Sequence, residues 1–316
     1  MRKLYGNEGF GMGEVLSKAG VLICISVLGY ALKKLHVLQA EDYRPLSKII
    51  MNVTLPCAVI TAFAEGYRAE PLLFIAVLFG FLGNVIMMGV GWFLSRNKRK
   101  EEKAFYMLNA SGYNIGAFVM PFVQSFLSPF SMVAACMFDV GNAVMCTGGT
   151  YAFLSSTLLR EGEKKGRVAS FCKKLFSSVT FDAYLILLLL AFFGLQMPAP
   201  VLEITKKIGD SNGFVAMLAV GVMFEFPKEL SRLGKAFTIV IVRMLGAALF
   251  ALFFYFCLPL PLEIRQAMCI VCFAPVSVVA MIYSEKITGD GALASLTGSL
   301  SILLCLPVIL GLVLML

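Results

Sequence analysis

Apolar and polar positions along this chain segregate on the scale of whole helices. Ten apolar runs recur, each close to the roughly 20 residues needed to cross a hydrocarbon core. They cover 15–32, 45–64, 72–94, 104–127 and 132–158, then 179–195, 201–224, 236–258, 265–283 and 292–315. Short polar connections separate them. The pattern predicts an all-α polytopic membrane protein of ten transmembrane helices. The longest connection divides it into a first five-helix repeat (1–158), a connecting loop (159–178) and a second five-helix repeat (179–316). Five is odd, so the second half starts from the opposite face of the bilayer and is predicted to be inverted relative to the first. That arrangement is common in secondary transporters.

Two of the runs carry residues that a membrane helix normally avoids, at matching places in the two halves. The fourth contains Asn109, Ser111, Gly112, Asn114, Gly116 and Pro121, and the ninth contains Pro275 and Ser277. Glycine relaxes backbone restrictions, and proline removes a donor and clashes with the preceding turn. Broken backbone survives in lipid only where protein or a watery cavity covers it. Paired breaks therefore point to a shared binding site near the middle of the membrane. If the breaks cross, amides at the half-helix N-termini suit a carboxylate. Asn109, Ser111, Asn114, Gly116, Pro121, Pro275 and Ser277 are the candidate substrate-binding residues. The bland alternative is two proline kinks packed against their neighbours.

Asp139 and Asn142, three residues apart in the fifth run, are the candidates for binding a driving ion, proton or sodium. A structural partnership between Asp139 and Arg243, the one cation in the middle of the eighth run, is the competing reading. Pro56 is expected to kink the second run, and Asp210 and Asn212 to line a vestibule before the core of the seventh.

Composition narrows the field. Of 316 residues, 59% are hydrophobic and 15% charged, against about 25% charged in soluble proteins. The net charge of +8 arises from short basic clusters beside apolar runs, such as Arg96 to Lys100 and Lys164 to Arg167. This is the pattern of cytoplasmic membrane loops rather than of a nucleic-acid surface. Counting Lys and Arg on the two sides favours an outside location for both termini by about three to one. The first residues, with Arg2, Lys3 and Glu8, lack a signal-peptide cleavage pattern and are expected to be retained. One histidine and nine scattered cysteines give no support to a metal centre, a cofactor or a catalytic cluster. An integral-membrane enzyme or a passive channel is thus less favoured than a carrier. The partners expected are a small organic anion and the lipid bilayer, with homodimerisation left open.

Four stretches resemble the auxin efflux carrier family of permeases, which includes plant auxin carriers and bacterial dicarboxylate permeases. They are 28–38 with Leu46 to Lys48 and Leu55-Pro56; Asn114, Gly116 and Pro121 in an Asn-x-Gly-x(4)-Pro pattern; Pro275 with Tyr283; and Ala294-Ser295 through Ser301 to Pro307. Together they span nearly the whole chain. The resemblance implies two inverted five-helix repeats, a scaffold part and a mobile part. It also implies fourth and ninth helices that cross at their prolines and bind organic anions there, with Asn114 as the leading ligand. Val119 stands where many members have glycine. The short loop after the fifth run is similar to bacterial-type permeases, so the expectation is a carrier of mono- or dicarboxylates in a bacterial inner membrane. A sodium-coupled symporter of similar fold is the alternative.

Overall fold

A computed structural model of the protein describes residues 12–66, 70–158, 176, 178–195, 197–225 and 232–316. The stretch with Arg2, Lys3 and Glu8 and nearly all of the predicted connection 159–178 lie outside the described residues. Six helices are long and apolar enough to cross a membrane: α1 (Met12–Lys34), α2 (Ala40–Gly66), α3 (Leu73–Leu94), α6 (Pro129–Thr157), α10 (Leu233–Cys257) and α13 (Gly291–Met315). Of the other four predicted runs, three are divided. The fourth forms α4 (Lys100–Ala110) and α5 (Ile115–Phe126). The seventh forms α8 (Ala199–Asp210) and α9 (Asn212–Met223), and the ninth forms α11 (Leu262–Cys272) and α12 (Val278–Thr288). The sixth is the single shorter helix α7 (Val179–Phe192). Several spanning helices and a backbone satisfied within helices identify a multi-pass membrane protein.

Local chemistry sets the irregularities. In α2, the wide π-turn Ile50–Thr54 runs directly into Leu55-Pro56. Pro56 has no N–H to continue the normal ladder, and a π-turn absorbs the mismatch. The same device recurs in α5, where the π-turn Ile115–Val119 precedes Pro121 and the Met120 N–H reaches back to the Ile115 carbonyl. Helix α6 starts on a Ser128 cap that accepts from the Ser131 N–H, with Pro129 at its first position.

Packing falls into two groups. Helix α1 lies on α9, and α2 on α7, α8 and α9; α3 lies on α4 and α6, α12 on α4 and α13, and α10 on α11 and α13. Facing glycines allow the closest contacts. A Cβ on Gly80 of α3 would strike the Phe138 carbonyl of α6, and one on Gly141 of α6 would strike the Val77 carbonyl of α3. Gly29 and Gly221 do the same for α1 and α9. Small residues are how membrane helices bring backbones together without a hydrophobic drive between them. Helix α6 joins the two groups, packing on both α2 and α3.

Candidate functional site

The α4–α5 and α11–α12 breaks cross. Helix α4 ends at Ala110, Ser111 is extended, and Gly112 turns the chain at φ +76°, a conformation side chains with a Cβ resist. Tyr113 and Val276 then form an isolated antiparallel bridge. The Asn114 N–H donates to the Pro275 carbonyl (3.0 Å), and the Ser277 N–H to the Gly112 carbonyl (3.3 Å). Four helix ends converge here: the C-termini of α4 and α11, and the N-termini of α5 and α12.

The carbonyl ends are covered by Arg243 of α10, which is 4% exposed. Its Nη1 donates to the carbonyls of Asn109 (3.2 Å), Ala110 (2.8 Å) and Ser111 (3.1 Å). Its Nη2 donates to those of Ala274 (3.0 Å) and Pro275 (3.3 Å). One guanidinium thus caps two helices at once, its planar fork matching two sets of acceptors and its charge opposing two negative dipole ends. The Tyr113 ring lies 5.0 Å from the guanidinium carbon, a cation–π contact. Arg243 is therefore not the partner of Asp139.

The amide ends border a cavity of about 280 Å³ whose wall includes Asn114, Gly116, Asp139, Asn142, Cys146 and Ser277. Asn114 is half-buried, and its carboxamide has no hydrogen-bond partner among the described residues. Ser277 caps α12 by accepting from the Val279 N–H (3.2 Å), with the Cys146 thiol 2.8 Å from its hydroxyl. Among the described residues, no Lys, Arg or His lines this cavity, and Asp139 is its one charged side chain. Ser47 of α2 and Ser178 before α7 also line it.

A buried polar lattice holds the crossover in place. The Asn142 carboxamide grips both sides of the Tyr113 peptide. Its Oδ1 accepts from the Tyr113 N–H (3.1 Å), and its Nδ2 donates to the Tyr113 carbonyl (2.9 Å) and to Asp139 Oδ1 (2.9 Å). Asn84 of α3 accepts from the Gly112 N–H (2.6 Å) and donates to Asn142 Oδ1 (3.2 Å). Ser301 of α13 accepts from the Val276 N–H (3.1 Å). The second carboxylate oxygen of Asp139 accepts from the Tyr184 hydroxyl of α7 (3.2 Å).

The structure thus brings Asn114, Gly116, Ser277, Asp139 and Asn142 to one cavity. It does not bring Asn109 or Ser111 there. Both belong to the carbonyl end of α4, where Asn109 donates to Ser284 Oγ (2.6 Å) and Ser111 to the Met107 carbonyl (2.9 Å). Pro121 lies one turn into α5, buried away from the opening, and Pro275 acts through its carbonyl. Asn212 is fully buried and accepts from Thr54 (2.9 Å) rather than lining a vestibule, while Asp210 is exposed. Sequence reasoning missed Asn84 and Tyr184. A lone asparagine inside an otherwise apolar α3 is the signal that could have found the first.

A sequence profile of the family described as "Membrane transport protein" matches residues 15–313. An "Uncharacterized transporter" of Methanothermobacter thermautotrophicus is 27% identical over 143 residues, 43% of this chain and 46% of the relative. That match spans less than half of the relative's length.

Proposed function

Since the chain belongs to the membrane transport protein family, we propose that it is a secondary carrier of small organic anions, mono- or dicarboxylates, working by alternating access at the crossover. One observation carries the reading: the amide ends of α5 and α12 open on a cavity holding the unpartnered Asn114 carboxamide, while the opposing carbonyl ends are already capped by Arg243. Electropositive helix ends facing free space form an anion site. Asn114 and Ser277 are its side-chain ligands, with Gly116 letting α5 pack closely on Leu55 and Met51 of α2.

The ten-helix, inverted-repeat architecture belongs to the same proposal and has specific support. Tyr113 and Val276 occupy equivalent places and pair with each other. Each is held from the helix after its own break, Tyr113 by Asn142 and Val276 by Ser301. Each half also sends one polar side chain from the helix before the break, Asn84 in the first and Arg243 in the second. The proposal puts both termini outside a bacterial inner membrane, an orientation that the basic clusters in the connections support. Asp139 is the group proposed to couple transport to an ion.

Counterflow in proteoliposomes tests the proposal. A labelled carboxylate should exchange saturably into vesicles preloaded with the unlabelled compound. Linear flux, or no exchange across a carboxylate panel, would refute it.

A further inference from the structure

We infer that the cavity takes a singly charged carboxylate together with one proton, carried on Asp139, so that the loaded and empty sites bear the same net charge. This rests on the carrier reading above and adds the substrate's charge and the identity of the coupled ion.

The wall chemistry is the first argument. Asp139 lines the same cavity as Asn114 and Ser277, and among the described residues no basic side chain joins them. The nearest buried cation, Arg243, faces five carbonyls on the other side of the crossover. A bound carboxylate therefore shares a poorly screened space with a second carboxylate. Like charges so placed disfavour the ionised form, and linkage makes the effect reciprocal: anion and proton promote each other's binding. A dicarboxylate would add a further negative charge with nothing to meet it.

The atoms around Asp139 are the second argument. The orientation of the Asn142 carboxamide is fixed, because the Tyr113 N–H can only donate and the Tyr113 carbonyl can only accept. Asn142 consequently presents an N–H to Asp139, never an oxygen. Sodium is a hard cation that seeks converging oxygen ligands, whereas the Asn142 amide and the Tyr184 hydroxyl both turn hydrogens toward this carboxylate. A proton requires no such cage. The Tyr184 hydroxyl donates to the carboxylate and equally accepts from the acid, so a proton on Oδ2 keeps its partner by reversing one hydrogen bond. Tyr184 stands on α7, which packs against α2 and α6, so this bond links the two helix groups.

The neighbouring titratable groups are Cys136 and Cys146 of the same helix, Tyr184 of α7, and Tyr113 at the crossover, with Cys272 of α11 and Arg243 of α10 beyond it. Helices α2, α3 and α5 bring no titratable side chain to the cavity wall among the described residues. Thiols and phenols ordinarily titrate above about pH 8, which leaves Asp139 as the carboxylate of the cavity wall to carry the linked proton.

The test uses the purified full-length chain and five probes (pyruvate, butyrate, benzoate, succinate and glutarate), with affinity measured from pH 5.5 to 8. Monocarboxylate affinity should rise about tenfold per unit fall in pH, the slope for one linked proton. Pyruvate flux above that of protein-free vesicles should follow a proton gradient, ignore a potassium diffusion potential and persist when choline replaces sodium. Asp139→Asn should bind monocarboxylates with no pH slope. Tyr184→Phe, which keeps the acid, should displace the midpoint of the slope and serves if the first variant does not fold. Carboxylate transport with no pH slope, a sodium requirement, or preference for succinate would overturn the inference and leave the carrier reading standing. Absence of binding and exchange for all five probes at every pH would remove both.

Discussion

On one side of the crossover the carbonyl ends of α4 and α11 meet Arg243; on the other the amide ends of α5 and α12 meet a cavity of about 280 Å³. Both sides concentrate helix-dipole charge of one sign. The negative side is neutralised by the chain's own guanidinium and is packed shut. The positive side has no anionic side chain capping its helix ends among the described residues, Asp139 standing elsewhere on the cavity wall, and is left open. On the proposed reading the difference separates structure from function: one set of ends is a fixed part, and the other is the place offered to a solute.

Breaking the closed side should produce the largest effect. Arg243→Met leaves five carbonyls without their donor and removes a buried charge from two dipole ends. A loss of about 3–5 kcal/mol is expected, by analogy with a broken buried ion pair, read as thermal unfolding in detergent. Arg243→Lys keeps the charge but lacks the fork, and should fall between the variant and the wild type. Asn142→Ala is next. It strands both the N–H and the carbonyl of Tyr113, at about 1–3 kcal/mol for each unsatisfied group, with loss of transport at temperatures where the fold survives.

The open side should behave oppositely. Asn114→Ala removes no internal hydrogen bond, so unfolding should move by less than about 0.5 kcal/mol. Affinity for the carried carboxylate should drop about tenfold, equivalent to about 1.4 kcal/mol. If Asn114→Ala instead unfolded the protein as readily as Arg243→Met, the contrast between the two sides would be lost.

The smallest effect lies outside the membrane core. Glu102, at the start of α4, accepts from Lys98 (2.9 Å) and pairs with Lys235 in the first turn of α10 (3.2 Å). Lys98 first, then Lys235, holds its carboxyl below the usual range. A depressed carboxyl stabilises the fold above its unfolded value, and the contribution fades as pH falls through the folded value. Glu102→Gln should cost about 0.2–1 kcal/mol near neutrality, and the gap from wild type should close in acid.

Much of this contrast was legible in the residues. Breaks in the runs pointed to Asn114, Gly116 and Ser277, which do face one cavity, and a carboxylate at membrane depth pointed to Asp139 with Asn142 beside it. What the chain did not disclose is where within Asn109–Pro121 the helix parts. Glycine 112, glycine 116 and proline 121 were all plausible breaking points, and only the first opens the backbone; Pro121 is absorbed by a π-turn. Residues before the opening sit on the carbonyl side, and so Asn109 and Ser111 fell on the wrong side of it. The competing pairing of Arg243 with Asp139 fails for a related reason. A lone buried cation suggests a lone buried anion, whereas five carbonyls supply the same compensation without any acidic residue to notice.

The Tyr113–Val276 bridge has a mechanical consequence. It is a single residue long on each side and is made by just two backbone hydrogen bonds, yet it fastens the two broken helices like a rivet. Neither half-helix swings without dragging its counterpart. If the protein exposes its cargo to each side in turn, the riveted piece must travel whole, sliding against α2, α7 and α9, and the passenger rides with it.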